Sequence, residues 1–182
     1  MTAEQRIIAP NGDAWPDPAE TEARVAALEA QLGQSLPQPY RAFLVAHDGG
    51  APWPLIFDDP RDPEDPFRFL DRFNSTAHIA RMISGTVFSG GEPRGFVPVA
   101  EDPGGLSVLL SLRDADRGAV FLWDQSSAPW GGQDNNETHL VPVAPDFAAF
   151  VEALYETPDR MGWDHWAIPI RQRLQRPLVL TG

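Results

Sequence analysis

The stretch Glu29–Gly50, EAQLGQSLPQPYRAFLVAHDGG, decides how the rest of the chain is read. Val25, Leu28 and Leu32 lie at helical spacing, and Gly33 follows them as a stop. Asp17 is placed to cap this helix and Pro18 suits its first turn. A second helix opens near Pro37 and carries Tyr40, Phe43, Leu44 and His47 at i, i+3, i+4 and i+7. Asp48-Gly49-Gly50 stops it. Helices joined this tightly predict a compact hairpin over 18–47. Leu36 and Phe43 fill it, Pro37 sets its angle, and Gly33 and Gly49 supply positive φ after the helices. These are the parts of a packing joint.

Outward from the hairpin, proline marks where ordered elements lie. The chain has 19 prolines, and 19–36, 40–51, 67–92, 104–128 and 146–157 contain none. Helix interiors and central strands exclude proline, so these windows hold the regular structure. WPLIF (53–57) and FRFLDRF (67–73) read as strands flanking the acidic loop DDPRDPEDP. A short capped helix spans Ser75 to Ile83, with Ile79, Met82 and Ile83 as its apolar face. FVPVAED (96–102), LSVLLSLR (106–113) and AVFLWD (119–124) read as strands separated by turn-forming sequences. Short turns imply antiparallel neighbours. HLVPVA (139–144) adds an edge strand because of Pro142, and Phe147, Phe150, Val151 and Leu154 form a last helix face. The tail from Gly162, with Trp163, Trp166, Ile168 and Ile170, is expected to pack across the body. This order predicts an α+β domain: an antiparallel sheet with an N-terminal helix hairpin and further helices around it. The expectation is one domain over 1–182, with its core at about 18–157 and a C-terminal extension at 158–182.

Composition removes several kinds of chemistry. There is no cysteine, so thiolate nucleophiles, disulfides and thiolate zinc sites are excluded. All 14 basic residues are arginine, which excludes Schiff-base lysines and the lysine of a phosphate-binding loop. A net charge of −12 repels a nucleic-acid backbone and attracts a basic protein. No apolar run approaches the roughly 20 residues of a membrane span, and no secretory signal opens the chain, so a cytoplasmic protein is expected.

The opening stretch resembles the start of the SUKH superfamily. That pattern runs Glu, Leu-Gly, Leu-Pro, an aromatic, Phe-Leu and Asn-Gly-Gly. Here it is Glu29, Leu32-Gly33, Leu36-Pro37, Tyr40, Phe43-Leu44 and Asp48-Gly49-Gly50, with Asp in place of Asn. FVPVAEDPGGLSVLLSLRDADRGAVFLWDQ (96–125) resembles the family's strand block, and FAAFVEALYE (147–156) resembles its closing helix. The resemblance runs in order over roughly 20–157. It implies an α+β interaction domain. Many bacterial members are immunity proteins that neutralise a cognate toxin, often a nuclease. Fungal relatives regulate cell-wall synthesis through protein contacts. The resemblance implies no catalytic residues.

The residues themselves offer little catalytic pattern. There is no Gly-x-Ser-x-Gly elbow and no His-Glu-x-x-His. His47, His78, His139 and His165 are far apart, and His47 sits on an apolar helix face as a core or boundary residue. SGGEPRG (89–95) and DQSSAPWGGQDNNE (124–137) read as solvated loops, because neither has the context of a phosphate or calcium site. Glu101, Asp102 and Asp124 near strand ends read as turn formers and are the only candidates for a carboxylate-dependent hydrolase. Trp123 reads as core. The candidate partner-binding residues are therefore Asp58, Asp59, Asp62, Glu64 and Asp65 of the acidic loop, unless that loop is merely solvated, with the loop aromatics Trp53 and Trp130 either as anchors or as local packing plugs. The resulting expectation is a noncatalytic immunity protein that binds a basic toxin, with no cofactor and no metal. The alternatives are a regulatory scaffold of the same fold and, remotely, the hydrolase.

Overall fold

The computed structural model describes residues 6–84, 93–104, 106–124, 137–156 and 174–181. Helix α1 spans Pro18–Leu32 and α2 spans Gln38–His47. The Asp17 carboxylate accepts the N–H of Ala19 at 2.8 Å and so caps α1. Gly33 ends α1 in the left-handed conformation, φ 72°. Glu29 holds the joint between the helices: its carboxylate accepts the Leu36 N–H at 2.8 Å and pairs with Arg41 at 3.4 Å. Tyr40, Phe43, Leu44 and His47 are buried, as their spacing requires.

The end of α2 explains Asp48-Gly49-Gly50. Asp48 itself takes the left-handed conformation, φ 51°. Its Oδ1 accepts both the N–H and the hydroxyl of Thr76 at 2.8 Å, and its Oδ2 lies 3.2 Å from Arg24. One side chain thus ties α1, the end of α2 and the start of α3 (Thr76–Ile83). Gly50 then passes between two backbones. It exchanges hydrogen bonds with Phe73 in both directions, and a side chain there would lie 2.4 Å from the Ala9 carbonyl.

Ten strands form three antiparallel sheets among the described residues. The largest has the order β5 (Arg72–Phe73), β6 (Phe96–Glu101), β7 (Leu106–Ser111), β8 (Val120–Asp124), β9 (Leu140–Ala144). Pro142 lies on the edge strand β9, the position in a sheet that tolerates a residue without an N–H. One face of this sheet, with Val97, Val108, Leu110, Val120 and Leu122, joins the main core with Phe43, Phe73 and, from α4 (Phe147–Ala153), Phe147 and Phe150. The other face carries Phe96, Leu109 and Trp123. The α+β architecture with its helix hairpin is as the sequence indicates.

The small sheets differ from expectation. WPLIF and FRFLDRF are not two continuous strands. The first divides into β2 (Ala51–Trp53) and β3 (Ile56–Asp58), and the second into β4 (Phe67–Phe69) and β5, in different sheets. β3 and β4 form a hairpin. β2 pairs with β1 (Ile7–Ala9), which also pairs with β10 (Arg176–Pro177) of the tail. The aromatic part of the tail, Trp163 to Ile170, lies outside the described residues.

The described tail locks onto α2. Arg176 donates to the Ala46 carbonyl and stacks 3.7 Å above the Trp15 ring. The Val179 N–H donates to Nε2 of His47 at 2.9 Å. That bond requires a neutral imidazole. Burial, and then the Arg176 charge, push the His47 pKa down to about 4 from its ordinary 6.5. The unfolded chain therefore takes up a proton between pH 6.5 and 4 that the folded chain refuses. Stability from this residue is complete above pH 6.5 and falls by up to roughly 3 kcal/mol as pH drops through that window. Denaturation midpoints at pH 7 and pH 4.5 should separate the wild type from His47→Gln, which keeps an acceptor but does not titrate. Parallel pH profiles for the two proteins would contradict this account.

Candidate functional site

The acidic stretch Asp59–Pro66 is the connecting loop of the β3–β4 hairpin, closed by the Asp59 N–H on the Pro66 carbonyl at 2.7 Å. Its carboxylates are not equivalent. Asp59 is only 1% exposed, which corrects its expected place on an acidic surface. Its oxygens accept Nε and Nη2 of Arg61 at 2.8 and 2.7 Å, and Arg68 lies 3.4 Å away. Burial pushes the Asp59 pKa up, but the hydrogen bonds and charge of Arg61, with the charge of Arg68, outweigh it and hold the carboxyl below its usual value. Asp59 is the internal counterion that folds the loop.

The remaining four face outward to different degrees. Asp58 is exposed and accepts the Tyr155 hydroxyl, whose pKa is raised by burial and then by that carboxylate. Asp62 is half-buried: it accepts the Asp65 N–H at 3.1 Å and lies 3.4 Å from Arg68. Glu64 and Asp65 are exposed at the tip. The loop is thus braced from within and presents carboxylates on its outer side.

Trp53 also requires correction as a loop anchor. It lies in β2, is 8% exposed, and packs with Ala9, Leu55, Ile56, Phe67 and Tyr155. Its Nε1 donates to Glu156 at 3.2 Å. The cause is the pairing of β2 with β1, which turns the residues around Pro52 into a covered strand. Trp130 lies outside the described residues, as do 85–92, 125–136 and His165 from the loops and histidines considered above.

Arg61 connects the loop to the sheet. Its Nη1 lies 3.8 Å from Asp124 at the end of β8, and both Asp124 and Asp102 raise its pKa after Asp59. Asp102 shapes the β6–β7 turn by accepting the Leu106 N–H at 2.6 Å. On the far side of that turn is a cleft of about 480 Å³, lined by Asn11, Arg72, Asn74, His78 and Glu101 among others, with Asp102 on its wall. The acidic loop, the β6–β7 turn and the cleft therefore lie side by side at one end of the five-stranded sheet. Sequence reasoning identified the loop but missed the cleft, which draws on residues 11, 71–75, 78, 81 and 101–103.

This end of the sheet presents charge and hydrogen-bond acceptors. Among the described residues, no group of three or more His, Asp or Glu side chains is arranged to hold a metal ion, and no helix is long and apolar enough to cross a membrane. His47 is tied to the tail, and His78 stands 3.9 Å from Glu101 on the cleft wall. His139 closes a short 3-10 turn before β9.

A family model described as SMI1 / KNR4 family (SUKH-1) matches residues 19–153, from the first turn of α1 to the last residue of α4. No curated protein matches this chain.

Proposed function

This chain belongs to the SMI1 / KNR4 family (SUKH-1), and on that premise we propose that it is a noncatalytic immunity protein that neutralises a basic toxin domain by covering it. The observation that carries this reading is the braced acidic end of the sheet. Asp59, Arg61 and Arg68 lock the β3–β4 loop from inside, so Asp58, Glu64 and Asp65 are held outward before any partner arrives. Prior ordering lowers the entropy cost of association. The net charge of −12 adds a long-range attraction for a basic surface.

The test requires the partner, found by co-purification from the cells that make this protein. Reversal of Asp58, Asp62, Glu64 and Asp65 to lysine, with Asp59 left in place, should slow association by roughly one to two decades and flatten its dependence on salt. The denaturation midpoint should fall only modestly: Glu64 and Asp65 face water, whereas Asp58 gives up the bond from Tyr155 and Asp62 its bond from the Asp65 N–H and its pairing with Arg68. Association indifferent both to salt and to the four reversals would remove the loop from the interface. A co-purifying partner with no toxic activity would instead favour a regulatory scaffold.

A further inference from the structure

We propose that the cleft between β5, α3 and the β6–β7 turn is a receptor for an arginine side chain carried on a loop of the protein partner. The inference rests on the immunity reading for the partner's identity and on the cleft itself for its chemistry. The decisive feature is which polar atoms the cleft leaves unused. Asn74 is 4% exposed and lines the cleft. Its Nδ2 donates to the Pro98 carbonyl at 3.1 Å, while its Oδ1 accepts no hydrogen bond from any described residue. Asn11 repeats the arrangement at the end of the cleft: its Nδ2 is directed to the Phe73 and Asp48 carbonyls at 3.3 and 3.4 Å. Both amides spend their donors inward and keep an acceptor.

Glu101 supplies the charge. Its side chain is 39% exposed, and the basic group within 4 Å of it among the described residues is the His78 ring, whose Nε2 lies 3.9 Å away, beyond hydrogen-bond distance. The cationic groups of the cleft are already engaged. Arg72 Nε donates to Asp71 at 2.8 Å, and Arg81 Nη2 meets Nδ1 of His78 at 3.3 Å. Asp71 is paired with Arg72 and Asp102 accepts the Leu106 N–H, which leaves Glu101 as the carboxylate beside the open amide acceptors. The open valences are therefore oxygen acceptors around a carboxylate, in a space of about 480 Å³. Arginine fits this demand better than lysine. Its planar fork pairs two N–H groups with one carboxylate and has others left for amide oxygens, whereas an ammonium is a strongly hydrated point charge. The position of the cleft agrees, since the acidic loop that steers the partner lies across the same turn.

The test uses the full chain and Nα-acetyl-arginine amide as the probe, followed by NMR. Saturable shifts are expected at the Asn74 side-chain amide and the backbone of Ser75, Glu101 and Asp102, with Kd on the order of 1 mM. Nα-acetyl-citrulline amide, of the same shape but uncharged, should give none. Glu101→Gln and, separately, Asp71→Asn are surface changes that keep the fold, and Glu101→Gln should weaken binding by about tenfold. Equal shifts with citrulline, or shifts scattered over carboxylates elsewhere, would overturn the proposal. Rescue of toxin-expressing cells is scored separately. Rescue without arginine binding overturns the cleft assignment and leaves the immunity reading. Arginine binding without rescue does the reverse.

Discussion

Replacing Phe43 with alanine is expected to destabilise the protein by about 3–5 kcal/mol. Phe43 is fully buried where α2, β5 and α4 meet. Its ring centroid lies 4.9 Å from that of Phe73 and 5.2 Å from that of Phe147, and Tyr40 and His47 complete the cluster. Truncation removes the transfer free energy of the ring and leaves a cavity whose walls belong to three elements, so no single movement closes it. Phe43→Leu should cost distinctly less. Urea midpoints at constant slope measure both. An unchanged midpoint for Phe43→Ala would mean that the α2 face does not hold the helices to the sheet.

Gly50→Ala should be comparably damaging for a different reason. Gly50 has φ 136°, a conformation L-residues rarely adopt, and an added Cβ would lie 2.4 Å from the Ala9 carbonyl and 2.9 Å from the Ile8 side chain. The backbone conformation costs about 1–3 kcal/mol, and the forced separation of β1 from the chain beside it adds a similar amount. Gly12→Ala is the control, because nothing stands within 4 Å of its new methyl. Equal midpoints for the two variants would contradict the close approach.

The contrast between these residues shows what a single sequence reveals. The face of α2 was legible because Tyr40, Phe43, Leu44 and His47 repeat with the helical period, and all four are buried. β6 to β8 were legible as apolar runs between turn sequences, and Pro142 marked the edge at β9. β1 was not legible. Three residues, Ile7–Ala9, are too short to display a period, and their pairing with β2 and β10 joins segments far apart in the chain. The fate of Trp53 depended on that missed strand. Asp59 was hidden differently: within DDPRDPEDP the carboxylates are chemically alike, and only the β3–β4 hairpin brings Arg68 across to the one that Arg61 folds back upon. The family pattern located the joint between α1 and α2, yet the cleft draws mainly on residues outside that joint.

The central claim is neutralisation by occupancy, and a titration tests it most directly. The co-purified toxin's activity is measured at fixed toxin concentration, well above Kd, while this protein is added in steps. Activity should fall linearly to zero at a fixed molar ratio, remain there without time dependence, and return when salt or dilution separates the complex. Inactivation that progresses with time at substoichiometric amounts of this protein would mean that it acts on the toxin catalytically, and would contradict the account.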